Sequence, residues 1–271
     1  MVGGSNPLTP TIFSFMNILI SNDDGYFSSG ILCLKQSLLK AGHRVFLVAP
    51  DRDYSACGMS ITLRVPVTVR KIAEHEYAVS GTPVDCVGIA LGGLLETPID
   101  IVISGINNGA NFSDDVFYSG TVAAAMEARR LQFPSIAVSI PNAQPKYYET
   151  AASVVNKLIE CLPSLPNSEE LAFLNVNVPD LSLDQLKGLK ATTLGRRHSP
   201  IPHREEVSDK GIRHCWMGGV GDFVAEQNST DMLSDHQCVE QGFASITPIK
   251  SEWLNKPFIA TCQNWLDSEV Q

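Results

Sequence analysis

From Met16 onward, short unbroken apolar runs alternate with segments whose apolar residues recur every three or four positions. Unbroken runs suit strands buried on both faces, and the longer spacing suits helices that cover them. The first run, residues 17–21, precedes SSGILCLKQSLLKAGH, which spaces Ile31, Leu34, Leu38 and Leu39 for a helix capped by Ser28 or Ser29 and stopped by Gly42. Strands are expected next at RVFLVAP (44–50) and YAVSGTP (77–83), then a helix opened by Pro83 over PVDCVGIALGGLL, then a buried strand at IDIVISGIN (99–107). A helix at 121–131, a strand at 135–140, a helix at 147–162 and a strand at 171–178 continue the series. This predicts an α/β fold, a parallel sheet with helices on both faces. Beyond Pro179 the periodicity loosens. Residues 195–240 are expected to form an arm or a pair of hairpins that serves oligomerisation, followed by a strand at 243–249 and a closing helix at 258–268.

A length of 271 residues and 44% hydrophobic content supply a packed core, with one compact unit as the default. Residues 1–15, MVGGSNPLTPTIFSF, read as a flexible leader, since Met16 stands where the first strand begins and can itself be a start. Residues 16–271 then form one domain: a core over 16–180, an arm over about 195–240, and a C-terminal strand and helix over 241–271. No run approaches the roughly 18 apolar residues of a membrane span, so a soluble cytoplasmic protein is expected. The seven cysteines are odd in number and never two residues apart, which indicates neither a disulfide framework nor a zinc knuckle. A net charge of −9 disfavours duplex nucleic acid as the main partner. GRRHSPIPHR (195–204), with His198 and His203, reads as a solvated loop; Trp216, Trp253 and Trp265 can stack on a base, but packing or subunit contact is the plainer role for Trp265.

Ligands of an open parallel sheet gather at the carboxyl ends of its strands. There this chain places Asn22, Asp23 and Asp24, then Asp51, Asp53 and Ser55, then Asn107 and Asn111. Adjacent aspartates at a dry strand end repel each other, and one stays protonated unless a cation compensates. Carboxylate, hydroxyl and amide oxygens without cysteine or histidine suit a hard cation, magnesium or manganese. By itself DDG marks an ordinary turn with aspartate capping the next helix; recurrence of oxygen ligands at three strand ends favours the metal. In DDVFYSGTVAAAMEA (114–128), Ser119, Gly120 and Thr121 precede an alanine-rich helix and can form an anion site for phosphate; the plainer alternative is an N-cap by Thr121. There is no P-loop lysine and no G-x-G-x-x-G after the first strand, which excludes those two nucleotide-binding devices and an NAD-linked enzyme.

ILISNDDG, VAPDRDYSACG, SGTPVDCV, DIVISGINNGAN and DDVFYSGTVAAAMEA resemble, in order and spacing, the survival protein E family of metal-dependent 5'/3'-nucleotidases. The resemblance runs from Met16 to about Pro179, with an echo in FASITPI. It implies a Rossmann-like, three-layer, mostly parallel sheet with a protruding C-terminal arm, assembled as a homodimer or homotetramer, that removes phosphate from nucleoside monophosphates with one Mg2+ or Mn2+ per subunit. The family's metal ligands fall on Asp23, Asp24, Ser55 and Asn107, and its phosphate-side residues on Asn111, Ser119, Gly120 and Thr121. The sequence departs from the family where a small residue and proline are usual and Ser28 and Ser29 stand, and where glycine is usual and Ala56 and Ser113 stand. The expected chemistry is in-line transfer of phosphoryl to a metal-activated water, with Asp23 or Asp24 accepting the proton. Two rivals remain: Asp23 as a covalent nucleophile, and a non-catalytic nucleotide or metal sensor on the same fold.

Overall fold

The computed structural model describes residues 15–197, 201–218, 221–223, 232–250 and 255–269. Most of the expected leader, His198 and Trp253 lie outside the described residues. The elements are β1 (Asn17–Ser21), α1 (Ser29–Lys40), β2 (Arg44–Pro50), β3 (Val69–Ala73), β4 (Glu76–Val79), α2 (Pro83–Ile89), β5 (Ile101–Asn108), α3 (Gly120–Glu127), β6 (Ser135–Ile140), α4 (Tyr148–Cys161), β7 (Phe173–Asn177), β8 (Leu189–Ala191), β9 (Arg204–Val207), β10 (Arg213–Trp216), α5 (Asp235–Glu240), β11 (Ala244–Ile249) and α6 (Ile259–Glu269).

Nine strands form one sheet in the order β3-β4-β2-β1-β5-β6-β7-β11-β8. Pairing is parallel from β4 through β7. It turns antiparallel where β3 meets β4 and β11 meets β7. Adjacent residues of β1 serve opposite faces. Ile18 and Ile20 join a core with Leu34 and Leu38 of α1 and Val155 of α4, while Leu19 joins another with Val87 of α2 and Ala124 of α3. Helices therefore cover both faces, which is why β1 reads as an unbroken apolar run. Packing of α1 is close: a Cβ on Gly30 would lie 2.0 Å from the Ile106 carbonyl oxygen. Of the four residues spaced for this helix, Leu39 points outward at 48% exposure.

The 77–83 strand stops at Val79, because Thr82 and Asp85 form a capping box that starts α2 with Pro83 in its first turn. The helix expected over 121–131 ends at Glu127. β3 and β8 escape the apolar pattern because their residues are mostly exposed edge positions, and β8 is only three residues long. Within 195–240, β9 and β10 form a separate antiparallel pair, and the region also contains α5. The capping box of α5, Ser234 with Gln237, is a sequence signal that the expectation of arm or hairpins passed over. α6 follows a short turn of 3-10 helix, and its Trp265 is 61% exposed. No described helix is long and apolar enough to cross a membrane.

Candidate active site

β1, β2 and β5 run parallel as neighbours, so the loops that follow them open on one edge of the sheet. Asn22 shapes the first of these loops. Its Oδ1 accepts the Gly25 amide at 3.2 Å, and its Nδ2 donates to the Gly25 carbonyl at 3.0 Å and to Ser28 Oγ at 2.7 Å. Ser28 caps α1 without a side-chain hydrogen bond. Turn and helix start are thus organised by Asn22 and Ser28, and the ordinary account of DDG leaves both aspartates unexplained.

Other segments converge on those aspartates. Asp23 is 4% exposed; Thr121 donates to it with its hydroxyl, onto Oδ1, and with its backbone amide. The Tyr54 amide donates to the Asp23 carbonyl at 2.8 Å. Asp24 Oδ2 accepts the Asn108 amide at 3.1 Å. Helix α3 is capped by Ser119, whose Oγ accepts the Val122 amide at 3.1 Å, and not by Thr121. Gly120 brings the helix start against the first loop, since a Cβ there would lie 2.8 Å from Asp23 Cβ.

Ser55 is exposed and donates to Asp53 Oδ1 with both its amide, at 2.7 Å, and its hydroxyl, at 2.6 Å. Asn107 turns Nδ2 to the Gly109 carbonyl at 2.9 Å, which leaves its oxygen as the group it has to offer. Asn111 lies in a buried amide cluster: Nδ2 donates to Ser139 Oγ at 2.7 Å, and its carbonyl accepts from Asn175 at 2.8 Å and Asn177 at 3.1 Å. The segments carrying Asp23, Asp24, Asn107, Gly120 and Thr121 are therefore bonded together, and the loop carrying Ser55 joins them through the Tyr54 amide.

Burial pushes the Asp23 carboxyl above its ordinary range, and the Thr121 bonds offset only part of that rise. Burial first, then the charge of Asp23, push Asp24 up to about 6, and Asp53 adds to the rise in both. Among the described residues no Lys, Arg or His forms an ion pair with either carboxylate. Two desolvated, mutually repelling carboxyls with no protein cation, set among amide and hydroxyl oxygens, fit a hard divalent ion. A cation must displace the proton that the elevated Asp24 carboxyl holds below pH 6. Affinity for Mn2+ is therefore expected to be lower at pH 5 than at pH 7.5, by at least about tenfold. Titration calorimetry at pH 7.5 and pH 5 checks this, and equal affinities would contradict it.

The rim of the site rests on contacts that no local pattern announces. Asp235 at the start of α5 accepts the amides of Ser113 at 2.7 Å and Gly195 at 3.2 Å. Arg197, expected in a solvated loop, instead grips Asp115 with Nη2 at 2.6 Å and Nε at 3.0 Å, and lies over the Phe223 ring. Ala56 and Ser113 both sit at left-handed φ, +58° and +55°. A Cβ is strained there by roughly 1 kcal/mol. Ala56→Gly is expected to stabilise the chain by about that amount, a rise of about 2–4 °C in thermal midpoint for a chain of this size. A lowered midpoint would contradict the strain.

An α/β sheet that carries an acidic pair, one residue buried and one half-buried, at the carboxyl ends of its central strands has the architecture of a doubly wound α/β enzyme. The family described as survival protein SurE matches residues 18–200. This chain belongs to that family. It is 44% identical over 255 residues to the 5'-nucleotidase SurE of Actinobacillus succinogenes, which covers 94% of this chain and 100% of the relative. It is 43% identical over 253 residues to the 5'-nucleotidase SurE of Stenotrophomonas maltophilia, covering 93% and 96%. The crystal structure of the SurE protein from Aquifex aeolicus is similar with a TM-score of 0.78 and 36% identity over 92% of this chain and 99% of that one.

Proposed function

We propose that this protein hydrolyses nucleoside 5'-monophosphates, and 3'-monophosphates as well, to nucleoside and phosphate with the aid of one magnesium or manganese ion per subunit. The observation that carries this reading is the pair of desolvated carboxylates, buried Asp23 and half-buried Asp24, raised in pKa and without a cationic partner among the described residues. Relatives named 5'-nucleotidase at 43–44% identity over most of the chain support the substrate class. Asp23, Asp24, Ser55 and Asn107 would hold the ion. Such an ion polarises a phosphate oxygen and lowers the pKa of a bound water. Thr121 fixes Asp23 in place through two hydrogen bonds. Asp24 has one hydrogen bond, on Oδ2, and so keeps lone pairs with which to accept the proton of an attacking water. Gly120 and Thr121 open α3 and Ser119 caps it; the positive end of that helix would favour the phosphate group, and the family resemblance adds Asn111 to the phosphate side. Assembly as a homodimer or homotetramer, an arm around β9 and β10, and a cytoplasmic setting complete the proposal.

The test is phosphate release from 5'-AMP, 5'-GMP and 3'-AMP with Mn2+, with and without chelator. Chelator-sensitive release is expected; none across the panel would favour the sensor. In single turnover with enzyme in excess and substrate labelled with phosphorus-32, no label is expected on the acid-quenched protein. Phosphorus label retained on Asp23 would establish it as a covalent nucleophile, a role that its burial and its occupied Oδ1 oppose.

A further inference from the structure

The pair β9 and β10 shares no strand pairing with the nine-stranded sheet among the described residues. A lone two-stranded pair is marginal in water, so any further tie between its strands adds to its stability. Its register sets Cys215 directly opposite Glu205. His203, two residues before Glu205, projects to the same face by the twofold alternation of extended chain. The three ligating atoms lie within 4.8 Å of one another. His203 Nε2 is 3.6 Å from Glu205 Oε2, and Cys215 Sγ is 3.8 Å from the same oxygen. In a tetrahedral zinc site, with bonds of about 2.0–2.3 Å, ligand atoms stand about 3.3–3.8 Å apart. Two edges of such a tetrahedron are therefore close to formed before any ion arrives.

We propose that His203, Glu205 and Cys215 form a second metal site, one that takes a single zinc ion and clips β9 to β10. Thiolate, imidazole and carboxylate together select a borderline ion, unlike the all-oxygen set around Asp23 and Asp24. Arg213 donates to Glu205 Oε2, and that bond holds the carboxyl below its usual range; the ion takes the place of the exposed guanidinium on that oxygen. Binding releases the Cys215 thiol proton to solvent as the sulfur to zinc bond forms. All three residues are at the surface or half-buried, so the ion reaches them without opening the core. Three protein ligands leave the fourth position to water.

Cobalt(II) serves as the spectroscopic probe on the full-length protein. One equivalent is expected to produce a near-ultraviolet thiolate-to-cobalt band that zinc displaces, that is lost in Cys215→Ser, and that needs at least tenfold more cobalt in His203→Ala. The band is expected to persist in Asp23→Asn, which separates this site from the nucleotidase metal. A measurement on the unaltered chain accompanies it: stoichiometric zinc slows alkylation of Cys215, followed by peptide mass mapping, at least tenfold relative to chelator. Manganese-supported phosphate release is expected to be unchanged in both hairpin variants, which shows that they fold. A band that survives Cys215→Ser, equal cobalt affinity in His203→Ala, or alkylation of Cys215 indifferent to zinc would each overturn the proposal.

Discussion

Asp23→Asn is expected to lower manganese-supported turnover of 5'-AMP at least about a thousandfold while leaving the metal-free chain as stable as before, or more so. The two effects have one cause. Burial raises the Asp23 carboxyl above its ordinary value of 3.8. A group whose folded pKa is raised binds its proton more tightly in the folded state, so the folded chain loses stability as pH climbs from that ordinary value through the raised one. Without metal, ionising this carboxyl in the folded chain thus costs stability. Asparagine removes that charge, and its Oδ1 still accepts the Thr121 hydroxyl. With Mn2+ the ranking reverses. The native chain gains about 2.7 kcal/mol at a hundred times its dissociation constant, and the variant gains little. Thermal melts of both proteins with EDTA and with Mn2+ show this crossing. Turnover within tenfold of native, or a variant that melts markedly lower in EDTA, would contradict the role given to Asp23.

Gly120→Ala is expected to reduce kcat/KM about a hundredfold with only a small change in thermal midpoint. The added methyl would meet Asp23 Cβ at 2.8 Å, Asp23 Oδ2 at 3.0 Å and Cys57 Sγ at 3.1 Å. Something must shift, either the Asp23 carboxylate or the first turn of α3. Either shift disturbs the Thr121 bonds that hold Asp23, and a displacement of about 1 Å in catalytic geometry costs on the order of a hundredfold. Stability changes little because alanine is the better helix former and part of the crowding is relieved at the helix end. Activity within threefold of native would show that Gly120 does not set this distance. Collapse of the fold would show that the contact is structural rather than catalytic.

Much of the architecture was legible. β1, β2, β5 and β6 carry unbroken apolar runs because both faces of the sheet are covered, and α1 and α4 keep helical spacing because each buries one stripe. Elements with little to bury left no such trace: β3 and β8 lie at exposed edges, and α5 is a six-residue helix visible only by its capping box. The acidic pair was conspicuous because oxygen-bearing side chains recur at three strand ends, which an ordinary DDG turn does not require. Ser55, Asn107 and Asn111 were legible as oxygen-bearing side chains at strand ends, and the family resemblance suggests Ser55 and Asn107 as ligands and Asn111 for the phosphate side.

The sequence by itself determined the alternation of the buried strands with their covering helices, the α/β class and the acidic edge, because hydrophobic periodicity and strand ends are properties of neighbours along the chain. Tertiary structure decided which distant groups answer Asp23 and Asp24. Thr121 reaches Asp23 across 98 positions, the Asn108 amide reaches Asp24 across 84, and Asp235 braces Ser113 across 122. It also decided the protonation of the pair, because desolvation depends on what the fold packs over a carboxyl and not on the residues beside it in the chain.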